Sequence, residues 1–259
     1  MAYLIKTCGI DLAPVSSGVT TLNYKVGTWE ATLLDAGVVH LNRTHSTRQH
    51  KFGQHLSAAF KILEYVKKQK PDLVGLEDYT NQHTTYVGFS MGELGGLIRL
   101  LLWQEGYRQL LITPNRVTKL ILPPSSRKTK KLSSTQWKNY CVDWVEKAMK
   151  AEFAGKPKER SDMADSAIYG LIAACFFAYY WLQEEPPLTP RQREIFFNKV
   201  PSDRSKAMKE GWFASGLMDT PYQYLVRNPA KEPVTYTPAW LQTSPVDPIF
   251  VGEGTSGLF

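Results

Sequence analysis

Sixteen consecutive residues, Ala167 to Leu182 (AIYGLIAACFFAYYWL), carry no charge at all. A helix that is apolar on every side must be buried on every side. The run is shorter than the ~20 residues needed to cross a bilayer, so it predicts a helix at the heart of a globular core rather than a membrane span. A charged segment, Ser161-Asp162-Met163-Ala164-Asp165-Ser166, leads straight into it. The helix, read as Asp162–Leu182, is therefore expected to carry two acids, three residues apart and on one face, into the core.

What can surround such a helix is written upstream. Leu4–Asp11, Gly18–Val26 and Ala31–Leu41 read as three strands, with Gly18 and Gly27-Thr28 at the turns between them. Phe52, Leu56, Ala59, Phe60, Leu63 and Val66 mark one face of a helix from about His50 to Gln69, stopped by Pro71. Asp72–Glu77 (DLVGLE) is short and apolar, as a buried central strand should be. A helix over Phe89–Glu105 carries Gly92, Gly95 and Gly96, which would permit close packing. Leu110–Thr113 reads as a fifth strand, Asn115–Leu122 as a short helix, and Gln136–Lys150 as a longer one. Three meandering strands followed by alternating helix and strand give an α/β fold, a mixed five-stranded sheet covered by helices.

After Leu182 the character changes. Ten of the 16 prolines fall in residues 183–259, and apolar periodicity fades. Trp212, Phe213, Tyr222, Tyr224 and Trp240 are nevertheless too many aromatics for a solvated tail. Two units are expected: a folded domain over 1–182, and a Pro-rich C-terminal extension over 183–259 that drapes over its own domain or engages a protein partner. The charge divides the same way. The first 182 residues hold 23 Lys/Arg against 15 Asp/Glu, and the remainder 8 against 9. A basic domain suits a polyanionic partner. Cys8, Cys141 and Cys175 are odd in number and form no CxxC pair, and the N-terminus has no signal pattern; a reducing, cytoplasmic setting with no membrane role is expected.

Four acids stand out. Asp11 ends the first strand (CGID) and Glu77 the fourth (LVGLE), at the carboxyl edge where open α/β sheets place their ligands. Asp162 and Asp165 share a helical face. Should the helix cross the sheet, four carboxylates would meet and repel unless cations neutralised them. Hard divalent ions with oxygen ligands, Mg²⁺ or Mn²⁺, answer that need, and two of them can drive phosphodiester hydrolysis. Taken singly, the same acids have plain structural readings: the helical pair complementing a helix dipole for ~0.3–1 kcal/mol each, the strand-end pair facing solvent. Asp78, beside Glu77, would take its place if the strand register were shifted by one.

GIDLAP, LVGLEDY, LLITPNRVTKLIL and SDMADSAIYGLIAA resemble, in order and spacing, the RuvC family of Holliday-junction resolvases, of the RNase H-like superfamily. The resemblance spans about residues 4–182. It implies an RNase H-like fold and a homodimer that binds four-way DNA junctions and nicks them with two Mg²⁺ ions, Mn²⁺ substituting. Carried over residue by residue, Asp11, Glu77, Asp162 and Asp165 become the catalytic and metal-binding acids. Family sequences show a Gly-Ser pair soon after the first acid, where this chain has Leu12-Ala13-Pro14; the Phe three residues past the Glu of bacterial members is Thr80 here. Extended versions of this kind are typical of bacteriophages, which use them on branched replication DNA; the setting would then be the host cytoplasm.

The expected DNA-binding residues are Arg127, Lys128, Lys130 and Lys131, a cation cluster able to neutralise phosphates without reading bases. Arg116 and Lys119 match family positions that tend to be basic, and Tyr79 could stack on an unpaired base near a branch point. His40, His45, His50 and His55 recur every five residues, which places successive members on different faces of a helix; together with His83 they are expected at the surface. Three other functions compete. One is an RNase H-like nuclease for RNA–DNA hybrids or DNA ends, although Ala13 replaces the second acid of a DxE pair. Another is an actin-like kinase or ATPase, against which Asp11-Leu12-Ala13-Pro14 offers no glycine to admit a phosphate. The last is a non-catalytic scaffold for branched DNA.

Overall fold

The computed structural model describes residues 3–13, 15–41, 48–78, 86–112, 114, 121, 133–188 and 216–218. The elements are β1 (Leu4–Asp11), β2 (Ser16–Lys25), β3 (Glu30–His40), α1 (Arg48–Gln69), β4 (Leu73–Glu77), α2 (Tyr86–Gln104), β5 (Gln109–Ile112), α3 (Ser134–Met149), α4 (Pro157–Trp181) and β6 (Gly216–Met218). The expected short helix at Asn115–Leu122 lies outside the described residues apart from Ile121, which is buried.

The sheet runs β3-β2-β1-β4-β5-β6. β1, β2 and β3 form an antiparallel meander, while β4 and β5 join β1 in parallel. The five strands expected from the sequence are all present. The sixth comes from the extension: Gly216–Met218 pairs antiparallel with β5, Leu217 opposite Leu110. Closer to the domain, Pro186 is buried and Leu188 packs against the core, so the described parts of the extension lie on the first 182 residues.

Strand alternation sorts the side chains between two cores. Toward α4 and α3 point Ile5, Leu22, Tyr24, Leu73, Leu110 and Ile112. Toward α1 and α2 point Cys8, Ile10, Val19, Val74 and Leu76. All three cysteines are buried free thiols.

α4 is the central helix anticipated from its apolar run, and among the described residues no helix is long and apolar enough to cross a membrane. It starts earlier than expected, with Pro157 in its first turn, where the missing N–H has no cost. Asp162 and Asp165 therefore sit in its second and third turns, beyond the dipole's reach, and the dipole-complement reading loses its basis.

Three sheet glycines set how close α4 comes. A β-carbon built on Gly9 would stand 1.8 Å from the Ser166 carbonyl oxygen, one on Gly75 2.3 Å from that of Tyr169, and one on Gly18 2.0 Å from that of Asp162. Gly9 and Gly75 are register partners on β1 and β4, and Gly18 faces Asp11 across β1 and β2. The helix lies on bare backbone, with Gly170 against Leu22 and the Thr7 hydroxyl donating to the Gly170 carbonyl at 2.9 Å. Gly18 is thus not a turn residue, as the sequence suggested, but a strand position that admits the helix, whereas Gly27, at φ 101°, does lie in the turn expected between β2 and β3.

The other side departs from expectation in two places. Phe52 and Phe60 of α1 are exposed, and the helix turns Ala58, Ala59, Ile62, Leu63 and Val66 inward. His55, expected at the surface, is buried: its Nδ1 lies 3.2 Å from Glu93 Oε2 and its Nε2 2.9 Å from Ser90 Oγ, both on α2. His40 is exposed, 3.5 Å from Glu159. Gly96 meets nothing within 4 Å of a built β-carbon, so close packing through that glycine is not what joins α1 to α2.

Candidate active site

β1 and β4 run parallel with Ile10 opposite Leu76, so their next residues, Asp11 and Glu77, emerge side by side at the carboxyl edge. Along β1, Ile5, Thr7 and Gly9 face α4, and by alternation so does Asp11. Along β4, Leu73 and Gly75 do the same, and so does Glu77. Asp78 falls on the other face, where the charge of Arg99 on α2 acts on it, while the charges acting on Glu77 include Asp165. Strand parity therefore puts Glu77, and not Asp78, toward the helical acids.

The helix supplies its pair in parallel rows. Asp162, Ser166 and Gly170 follow one another at four-residue spacing over β2 and β1, while Asp165, Tyr169 and Ala173 form the neighbouring row over β1 and β4. The glycine contacts at Ser166 and Tyr169 fix both rows, which leaves Asp162 and Asp165 one turn further along, beside the strand ends.

The acids sense one another. Burial pushes the Asp11 carboxyl well above the usual range, reinforced by the charge of Glu77, then of Asp165, by a hydrogen bond with Glu77, and by Asp162. Glu77 is pushed up to about 7 by burial, with Asp165 and Asp78 adding to it; the bond with Asp11 and the Leu12 N–H, which donates to Glu77 Oε2 at 3.0 Å, oppose the rise. Asp165 is raised to about 6 by burial, eased by Lys138 and by a hydrogen bond with Cys141 and increased by Asp162. Tyr169 lies beneath the cluster, its phenol pushed upward by burial and then by Glu77, Asp11 and Asp165. Desolvation and like charge both favour protons on these groups, or a cation among them.

Asp162 has a different setting. It is buried at 4 % exposure, and its Oδ2 accepts a hydrogen bond from Ser16 Oγ at 2.7 Å. Ser16 Oγ in turn accepts from Lys158 Nζ at 3.0 Å.

Hard oxygen donors and uncompensated negative charge are what a divalent ion would require. Among the described residues, though, no three His, Cys, Asp or Glu side chains close around one point as a ready-made metal site. The four acids lie within electrostatic reach of each other without already forming a cage.

Sequence reasoning missed Ser16, Lys158, Lys138, Cys141 and Tyr169. Lys138 and Cys141 are three apart on α3, and Lys158 is four before Asp162; these are helical spacings that signal a shared face only once one member is known to matter. Tyr79, Arg116, Lys119, Arg127, Lys128, Lys130 and Lys131 lie outside the described residues.

No protein-family model and no curated protein sequence matches the chain. Solved structures do. Thermus thermophilus RuvC, in complex with a Holliday junction substrate, is similar at a TM-score of 0.50 and 16% identity, covering 70% of this chain and 99% of that one. The yeast mitochondrial Holliday junction resolvase gives 0.46 and 16%, over 64% of this chain and 75% of its own. The fowlpox virus resolvase with substrate Holliday junction DNA gives 0.41 and 13%, over 64% and 94%. The fold is RuvC-like: a mixed sheet flanked by helices, of the RNase H-like type.

Proposed function

We propose that this chain is a divalent-metal-dependent endonuclease acting on branched DNA, with Holliday junctions as the leading substrate. The observation that carries the reading is the meeting of Asp11 and Glu77, from adjacent strand ends, with Asp162 and Asp165 on a helix seated against the sheet by three glycines. The RuvC-like fold supports the choice of DNA over other phosphodiesters.

Asp11, Glu77, Asp162 and Asp165 would hold Mg²⁺, with Mn²⁺ able to replace it; two such ions would supply an activated water and stabilise the leaving oxygen. The protein's part is to gather the carboxylates before substrate arrives, to keep water from relaxing them, and to release protons as cations enter. Arg116, Lys119, Arg127, Lys128, Lys130 and Lys131 would neutralise phosphates along the arms of the junction, and Tyr79 would stack near the branch point. A homodimer would present two such sites for paired nicks, and the extension is a candidate surface for a protein partner. Cation clusters of this kind make affinity fall steeply with salt.

The deciding experiment incubates the full chain with end-labelled four-way junctions, flaps, RNA–DNA hybrids and linear duplex, with Mg²⁺, Mn²⁺ or chelator, and maps cuts on every strand. Metal-dependent cuts near branch points are expected, lost in Asp11→Asn and Asp165→Asn while junction binding persists. Full activity in those variants, or cleavage confined to hybrids, would sink the proposal. Tight junction binding without turnover under any divalent ion would instead favour a scaffold.

A further inference from the structure

Among the described residues, the side-chain hydroxyl that bonds to one of the four acids is that of Ser16, on Asp162, and the contact is built from two elements, β2 and α4. Ser16 opens β2 and is 2 % exposed. Its hydroxyl donates to Asp162 Oδ2 at 2.7 Å. Lys158, one helical turn before Asp162 on α4, donates from Nζ to Ser16 Oγ at 3.0 Å. A serine hydroxyl has a single hydrogen. With the ammonium occupying a lone pair of Ser16 Oγ, that hydrogen is directed at Asp162. Gly18, two residues along the same face of β2, is the position whose missing β-carbon lets the Asp162 backbone come near. Ser16 and Gly18 thus act on one residue: Gly18 brings its backbone in, and Ser16 fixes its carboxylate.

We propose that Ser16 is a positioning residue for Asp162 and that Lys158 orients Ser16, so that one carboxylate of the site is held in place before any cation or DNA arrives. Groups that orient a metal ligand from behind typically change metal affinity or activity by about 10–100-fold when removed. This inference rests on the metal-nuclease reading above and deepens it.

The two contributions separate by sign. By Coulomb's law alone, deleting the Lys158 ammonium from an acidic site would tighten the binding of a divalent cation. By orientation, deleting it frees the Ser16 hydroxyl and loosens Asp162, so binding weakens.

The test uses the full chain without DNA and Mn²⁺ as the probe, read by electron paramagnetic resonance and calorimetry. Ser16→Ala is expected to weaken Mn²⁺ by about tenfold, and Lys158→Met by about threefold, with Lys158→Arg restoring most of the loss because a guanidinium also donates. With branched DNA, Ser16→Ala is expected to lower kcat while KM for DNA holds. Unchanged Mn²⁺ affinity in Ser16→Ala, with wild type binding and cleaving, overturns the positioning role and leaves the nuclease intact. Tighter Mn²⁺ in Lys158→Met overturns the orienting role of Lys158. A wild-type chain that binds no Mn²⁺ and cuts no DNA overturns the nuclease reading and this inference together. Lys158 is exposed, so its variants report even where Ser16→Ala fails to fold.

Discussion

The two faces of the sheet are packed by different means. On the α1 and α2 face, Ile10, Val19, Val74 and Leu76 meet Ala59, Ile62, Val66, Leu94, Ile98 and Leu102 through an ordinary layer of side chains. On the α4 face the layer vanishes at Gly9, Gly18 and Gly75, and helix backbone lies on strand backbone. A side-chain layer adjusts when one member changes size; backbone contact does not. Asp11, Glu77, Asp162 and Asp165 sit on the face that cannot adjust, and the contrast explains how carboxylates from distant parts of the chain are brought to a shared place.

The largest expected effect tests this contrast directly. Gly9→Ala or Gly75→Ala drives a methyl into a carbonyl that cannot retreat, so a loss of about 3–5 kcal/mol is expected by chemical denaturation, beyond ordinary overpacking. Ile98→Val on the other face should cost about 1 kcal/mol. Equal costs would show that the glycine contacts are not the constraint.

Next in size is the pH dependence without divalent ions. Glu77, Asp165 and Asp11 have folded-state pKa values above their unfolded ones. By about pH 8 Glu77 and Asp165 are ionised in both states, and only the folded state suffers the repulsion. As pH falls toward about 4, protons bind the folded form first and the penalty disappears. The shifts of Glu77 and Asp165 should therefore raise stability by about 3 kcal/mol from pH 8 to pH 4.5, with Asp11 acting in the same direction. Asp11→Asn should flatten that rise and increase stability at pH 8. Asp78, raised to about 6 by its burial on the opposite face, should contribute a smaller share, removable by Asp78→Asn. A metal-free protein that loses stability steadily on acidification over this range would contradict the assignment.

A smaller effect is expected on the α1 and α2 face. His55→Ala leaves Ser90 and Glu93 without their buried partner and should cost about 1–3 kcal/mol, with no change in the metal dependence of cleavage. A shift in metal dependence would mean that this face shapes the site as well.

These faces were not equally legible in advance. The apolar run after Asp165 announced the central helix, and DLVGLE announced the buried strand, because hydrophobic period and length are local properties. The inward face of α1 keeps Ala59, Leu63 and Val66 of the periodic pattern but is turned toward Ala58 and Ile62, which leaves Phe52 and Phe60 exposed. His55 went inward because Glu93 and Ser90, 38 and 35 residues later, satisfy its ring. No local pattern carries such partners.

By itself the sequence determined which residues end buried strands, which pair shares a helical face, and that an apolar helix had to lie in the core. Strand alternation and helical repeat are consequences of bond geometry, so they are present in the chain before it folds. Only the tertiary structure decided that Gly18 is a contact and not a turn, that Glu77 rather than Asp78 faces the helix, and that Ser16 and Lys158 belong to Asp162. Each depends on which distant backbone comes within a few ångströms, and that is set by the packing of α4 on the sheet.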